Sequence, residues 1–216
     1  MSGISNHLAN ALADWELRGQ AFTPPATVYV ALLLCSNGPI ARSTTYAVGN
    51  TASFIAADGY NHLYACTAQT GATAATAPTF TGKPGEVVTD GGVTWTEQDD
   101  VLAAAGATLV EVSGNGYARA SIAGSLTNWS GTQGAGTTTA STGTTAGISN
   151  NIAVNFPTPT GAWETGAQQI WGFATFDAST AGNLLRFGGL SADQIVNTGN
   201  TVSFAAGQLA LKFDER

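Results

Sequence analysis

Eight residues, TVYVALLL at positions 27–34, leave the chain few ways to fold. Alternate side chains of a strand point to opposite faces. Here both sets are apolar and rich in strand formers, so the strand has to lie centrally in a sheet covered on both sides. QIWGFATF at 169–176 alternates only roughly and reads the same way. Around these two runs the sequence is punctuated by turns. Glycine accounts for 27 of the 216 residues, and Thr, Ser and Ala are abundant.

Further strands follow from local pattern. ATLVEVSGNGYARASI (107–122) reads as two short strands about a Gly-Asn-Gly turn at 114–116. NNIAVNF (150–156) alternates Ile152, Val154 and Phe156 and is stopped by Pro157 and Pro159. NLLRFGGL follows the turn DASTAG at 177–182, and TVSFAAGQLALKF (201–213) reads as a hairpin-like pair broken at Ala206-Gly207. The N-terminus is the exception. Ile4, Leu8, Ala11, Leu12 and Trp15 share one face of a 3.6-residue period, predicting a helix over residues 2–19. Ser2 or Ser5 caps its start, and Gly19 ends it. The expected fold is mainly β: an antiparallel β-sandwich or jelly-roll-like core with an N-terminal helix.

One segment interrupts this core. Between the strand at 27–34 and the pattern resuming near Leu109 stands an aromatic stretch, residues 60–95, with turns of its own. The division expected is a core of 1–35 plus 108–216 and a small inserted β domain at 36–107, closed by a weak boundary at 103–105. SGTQGAGTTTASTGTTAG (130–147) lacks the apolar residues to fold alone, and reads as a linker or as a loop lying on a neighbouring molecule.

Composition excludes several function classes. Charged residues are 10% of the chain, well below the roughly 25% usual for soluble domains. The net charge is −7 and no Lys/Arg cluster exists, so nucleic-acid binding has no electrostatic footing. No apolar run is long enough for membrane insertion, and no secretory signal pattern opens the chain. Cys35 and Cys66 belong to no CxxC pair. They read as two half-buried thiols of a reducing cytosol, with a single bridge stapling the insert as the alternative.

Catalytic patterns are missing too. His7 and His62 are the only histidines, and no HExxH, GxxxxGK[ST], GxSxG or Cys/His cluster is present. Asp58, Asp90 and Asp177 sit beside turn residues, where Asx turns account for them. Adjacent Asp99 and Asp100 would point to opposite faces of a strand. The chain is therefore expected to be no enzyme and to use no cofactor or metal.

Five segments in order carry a resemblance: ALADWELRGQAFTPPATVYVALLL, EVSGNGYARASI, NNIAVNFPTPTGAW, IWGFATFDASTAGNLLRFGGL and VNTGNTVSFAAGQLALKF. Together they resemble a family of small tailed-phage virion proteins, often labelled tail fibre or structural proteins. The insert, with its aromatic strand at 61–67, APTF at 77–80 and VTDGGVTW ending at Trp95, resembles small chitin-binding-type carbohydrate-binding modules. The resemblance implies a virion location, assembly in the bacterial host cytoplasm and no catalytic residues. It also implies exposed aromatics that bind sugar, the candidates being Tyr46, Tyr60, Tyr64 and Trp95. Core packing competes with ligand contact at Tyr64 and Trp95, and Tyr60, beside the Asp58-Gly59 turn, is the one expected at the surface.

The leading expectation is a capsid decoration (cement) protein that binds the major capsid protein or other virion proteins and projects the insert outward. The alternative is a tail-associated fibre or receptor-binding protein that recognises host surface glycans through the insert. A homo-oligomer, dimer or trimer, is expected from the low-charge surface and the apolar helix face at Ile4, Leu8, Leu12 and Trp15.

Overall fold

The computed structural model describes residues 2–105, 109–143 and 147–212. Its elements in chain order are β1 (Ser2–Ile4), α1 (Asn6–Arg18), β2 (Thr27–Cys35), β3 (Thr51–Ile55), β4 (Asn61–Gln69), β5 (Val87–Asp90), β6 (Val93–Glu97), α2 (Asp99–Ala105), β7 (Ala120–Ala123), β8 (Gly147–Ser149), β9 (Val154–Asn155), β10 (Gln169–Phe176), β11 (Leu184–Gln194), β12 (Ser203–Phe204) and β13 (Ala210–Lys212). The protein is mainly β, with antiparallel sheets and an N-terminal helix.

A five-stranded sheet, ordered β1-β11-β10-β2-β7, forms the middle layer. The two all-apolar runs, β2 and β10, pair in its interior. Their alternation explains the layers on either side. Val30, Leu32 and Leu34 of β2, with Ile170 and Phe173 of β10, face a cluster completed by Val154, Phe156, Trp163, Leu209 and Leu211. The short ladders β9–β12 and β8–β13 cover that face. Ala31, Leu33 and Cys35, with Trp171, Ala174 and Phe176, face the opposite way, where Leu63, Leu102 and Ala103 complete the cluster. These last three come from the inserted segment. The insert therefore covers the second face of the central sheet instead of projecting outward, and this cover is what the second apolar face of β2 requires.

The insert also has a core of its own. Strands β3, β4, β6 and β5 form a four-stranded sheet packed around Tyr46, Tyr64, Phe80, Val93 and Trp95. Beside the apolar packing of Leu63, Leu102 and Ala103, one carboxylate joins it to the central sheet. Asp193 of β11 accepts hydrogen bonds from Ser53 Oγ at 2.6 Å and Asn61 Nδ2 at 2.7 Å. Burial raises the Asp193 pKa, and Ser53, Asn61 and Cys35 only partly offset it.

Several local expectations need correction. The helix begins at Asn6, because residues 2–4 pair with β11 (Ile4 opposite Arg186). Ile4 is thus on a strand and not on the helix face. Ser5 caps the helix, accepting from the Leu8 amide at 3.1 Å, and Gly19 closes it at φ 64°. Residues 201–212 form no hairpin. Their two strands pair separately with β9 and β8, since each needs a partner and the Ala206-Gly207 break turns them apart. Of the two strands read within 107–122 only β7 is regular; Glu111 makes an isolated bridge to Leu33, and residues 106–108 lie outside the described residues. Asp99 and Asp100 open α2 instead of sitting in a strand, and α2 packs Leu102 and Ala103 into the core where a boundary was expected. Asp90 is fully buried and held by Arg42 at 2.8 Å, so a turn does not account for it.

Both cysteines are free and buried. Burial, with Asp193 close by, pushes the Cys35 thiol up to about 12, which leaves it protonated and unreactive. The low-complexity loop folds onto its own chain: Gly136 N donates to Asn151 Oδ1 at 2.9 Å, and Asn151 Nδ2 donates to the Thr137 carbonyl at 2.9 Å. Residues 144–146 lie outside the described residues.

Asp177 ties the ends of the turn between β10 and β11 from six residues away and not as an Asx turn, accepting from Asn183 N and Nδ2 at 2.7 Å each. Burial works against its charge, but the Asn183 donors outweigh it and hold the carboxyl below its usual range. A depressed carboxyl pKa adds stability that is full above the unfolded value, roughly 3.9, and is lost as pH falls through the lower folded value. Asp177→Asn is therefore expected to lose less stability than the parent between pH about 4 and about 2. Denaturant melts across that range check it, and parallel acid limbs would refute it.

Candidate functional site

All four aromatic residues that the sequence offers for sugar contact lie in the insert, and three are buried in its core. Tyr46 is 4% exposed, and Tyr64 and Trp95 are 0% exposed. Tyr46 stands edge-on to Trp95 with ring centroids 4.8 Å apart, and Tyr64 edge-on to Phe80 at 4.9 Å. The Tyr64 hydroxyl donates to Glu86 Oε1 at 2.7 Å. Their faces are spent on packing, as a small sheet with few large residues demands. They are core residues and not surface contacts.

Tyr60 differs. It follows the Asp58-Gly59 turn, where its amide donates to Asp58 Oδ1 at 3.0 Å in an Asx turn. Its ring is half-buried and lines a cleft of about 780 Å³ between the insert and the core. The floor of the cleft is apolar and includes Phe156, Phe173 and Phe204. Its rim carries Gln194, Asn200, Ser203 and Gln208, all exposed. At one end Lys212 Nζ donates to the Tyr60 hydroxyl at 3.3 Å and lies 5.7 Å from the ring centroid. An aromatic wall, an apolar floor and several neutral amide and hydroxyl groups form the kind of lining that receives a polar ligand with an apolar face. The Tyr60 wall belongs to the inserted segment and the rest to the core, so the cleft exists only because the two are packed together.

Sequence reading reached Tyr60 through its turn. It missed the rim residues and Lys212, which lie at 194–212, the last 19 described residues, and meet Tyr60 only through the fold. The helix positions expected to make assembly contacts are divided. Leu8 is buried within the subunit, Leu12 is half-buried beside it in a second, apolar cavity of about 780 Å³, and Trp15 is 58% exposed.

No curated protein matches the chain significantly. A protein-family model does: the family described as podophage GP4 fiber I protein gp80 matches residues 3–98 and 98–212, which is nearly the whole chain and includes the insert. The chain belongs to the podophage GP4 fiber I protein gp80 family, and is thus a fibre-type structural protein of a tailed-phage virion.

Proposed function

We propose that the chain is a non-enzymatic, tail-associated fibre protein that binds host surface glycans in the cleft at Tyr60. The observation that carries this reading is the pairing of one half-buried tyrosine with a neutral polar rim on an otherwise apolar cleft. A tyrosine face packs against the apolar face of a pyranose ring, while amides and hydroxyls fix its orientation. The fibre family supports placement at the tail more than placement on the capsid shell, so the decoration role has the weaker support. Assembly into a homo-oligomer and onto other virion proteins would use the exposed apolar residues of α1, Trp15 and Leu17. Many weak glycan contacts on clustered copies then add to firm attachment.

The test is a panel of bacterial surface saccharides presented to the purified full chain and to Tyr60→Ala. The parent is expected to select a subset, and the variant to lose about tenfold in affinity, equivalent to about 1.4 kcal/mol, with little change in melting temperature. A parent that binds nothing above control, or a variant that binds equally well, would reject the reading.

A further inference from the structure

Both ring nitrogens of His62 face carboxylates. Nε2 lies 3.0 Å from Asp58 Oδ2, and Nδ1 lies 3.3 Å from Glu97 Oε1 and 3.8 Å from Asp99 Oδ2. The side chains of His62, Glu97 and Asp99 are 3%, 0% and 15% exposed. Three elements build the cluster: β4 supplies His62, the end of β6 supplies Glu97 and the start of α2 supplies Asp99. The loop at Gly82 closes over the ring so tightly that a Cβ there would lie 2.5 Å from Nε2.

One imidazole thus stands among three carboxylates. The Asp58 carboxylate is an acceptor, so Nε2 carries a hydrogen. Burial works against a charge on the ring, but Glu97, Asp99 and Asp58 outweigh it and raise its pKa, so that without a metal Nδ1 also carries a proton and donates to Glu97 Oε1. Among the described residues that oxygen makes no other hydrogen bond, because the Gly85 and Asp99 amides are taken by Oε2 at 3.1 and 2.9 Å. The 3.3 Å contact between Nδ1 and Glu97 Oε1 is therefore a position that either a proton or a metal ion fills. A single proton on Nδ1 would answer for one charge, but three carboxylates surround the one imidazole. A metal ion answers for more, and the Nδ1, Glu97 and Asp99 ligand atoms lie within 4.8 Å of one another. That spread fits one ion with ligands at about 2.0–2.2 Å after a small inward movement.

We propose that His62 Nδ1, Glu97 Oε1 and Asp99 Oδ2 bind one divalent ion of the zinc or manganese class. One imidazole with two carboxylates and no thiolate suits these ions. Asp58 acts as a positioning residue, since accepting from Nε2–H fixes the tautomer and aims Nδ1 at the ion. The ion would tie β4 and β6 to the first residue of α2, whose Leu102 and Ala103 pack against the central sheet. It would therefore brace the insert against the core, independently of any glycan.

The experiment uses the full chain, stripped with a chelator and then titrated with zinc or manganese by calorimetry, with bound metal counted by mass spectrometry. One ion per chain and a higher melting temperature, reversed by chelator, are expected for the parent. Asp99→Asn, which keeps the side-chain shape, is expected to lose at least about tenfold in affinity. If that variant fails to fold, X-ray absorption of the zinc-loaded parent decides, and one imidazole among oxygen neighbours is expected. A parent that holds no stoichiometric ion, an Asp99→Asn that binds like the parent, or a shell without imidazole would overturn the proposal and leave a proton on Nδ1.

Discussion

Trp95→Ala is expected to cost about 3–5 kcal/mol and to unfold the inserted sheet ahead of the core. Trp95 is fully buried on β6, opposite Cys66 of β4 on one side and Val88 of β5 on the other. Its ring fills the centre of a cluster that has few other large members besides Tyr46, Tyr64 and Phe80. Removing it leaves a cavity that a small sheet cannot collapse around. Tyr60→Ala, at a half-buried position on the cleft, is expected to alter ligand binding far more than stability. The two variants thus separate packing from contact. Denaturant melts followed by near-ultraviolet circular dichroism and by saccharide binding check both. A Trp95→Ala chain that melts like the parent but no longer binds sugar would make the indole the contact and Tyr60 a bystander.

Gly189→Ala is expected to separate the insert from the central sheet. A Cβ at Gly189 would stand 2.0 Å from the Asn61 carbonyl oxygen and 2.7 Å from its carbon. Those atoms belong to the backbone of β4, so no side-chain rotation relieves the clash. The Asp193 hydrogen bonds to Ser53 and Asn61 lie along the same contact and would be stretched with it. Overpacking costs typically about 1–3 kcal/mol, and a backbone-to-backbone contact belongs at or above the top of that range. Hydrogen exchange is expected to rise in β4 and β11 together, and the Tyr60 cleft should open. Unchanged exchange in both strands would show that the two sheets do not approach as described.

The legible part of this fold was its alternation. Two apolar faces on β2 announced a strand covered twice, and the covering layers are present on both sides. The Ser5 cap and the Gly19 stop were legible because each is a local requirement of one helix end. What the sequence could not show was the identity of the covers. Leu63, Leu102 and Ala103 close the second face from within the insert, and no local pattern says that an insert will fold back. Tyr46, Tyr64 and Trp95 stood as candidate contacts, with core packing the competing role at Tyr64 and Trp95, and all three are buried: large aromatics look alike in sequence whether a small core consumes them or a ligand does. His62 was passed over because its partners, at positions 58, 97 and 99, meet it only when β4 and β6 pair and α2 begins beside them.

The placement of the chain in the virion tests the account most directly. Electron cryomicroscopy of purified particles, with the subunit fitted into the density, is expected to find it in a few clustered copies at the tail, with the Tyr60 cleft facing away from the particle. Density for the subunit spread over the capsid lattice would contradict the account and restore the decoration role.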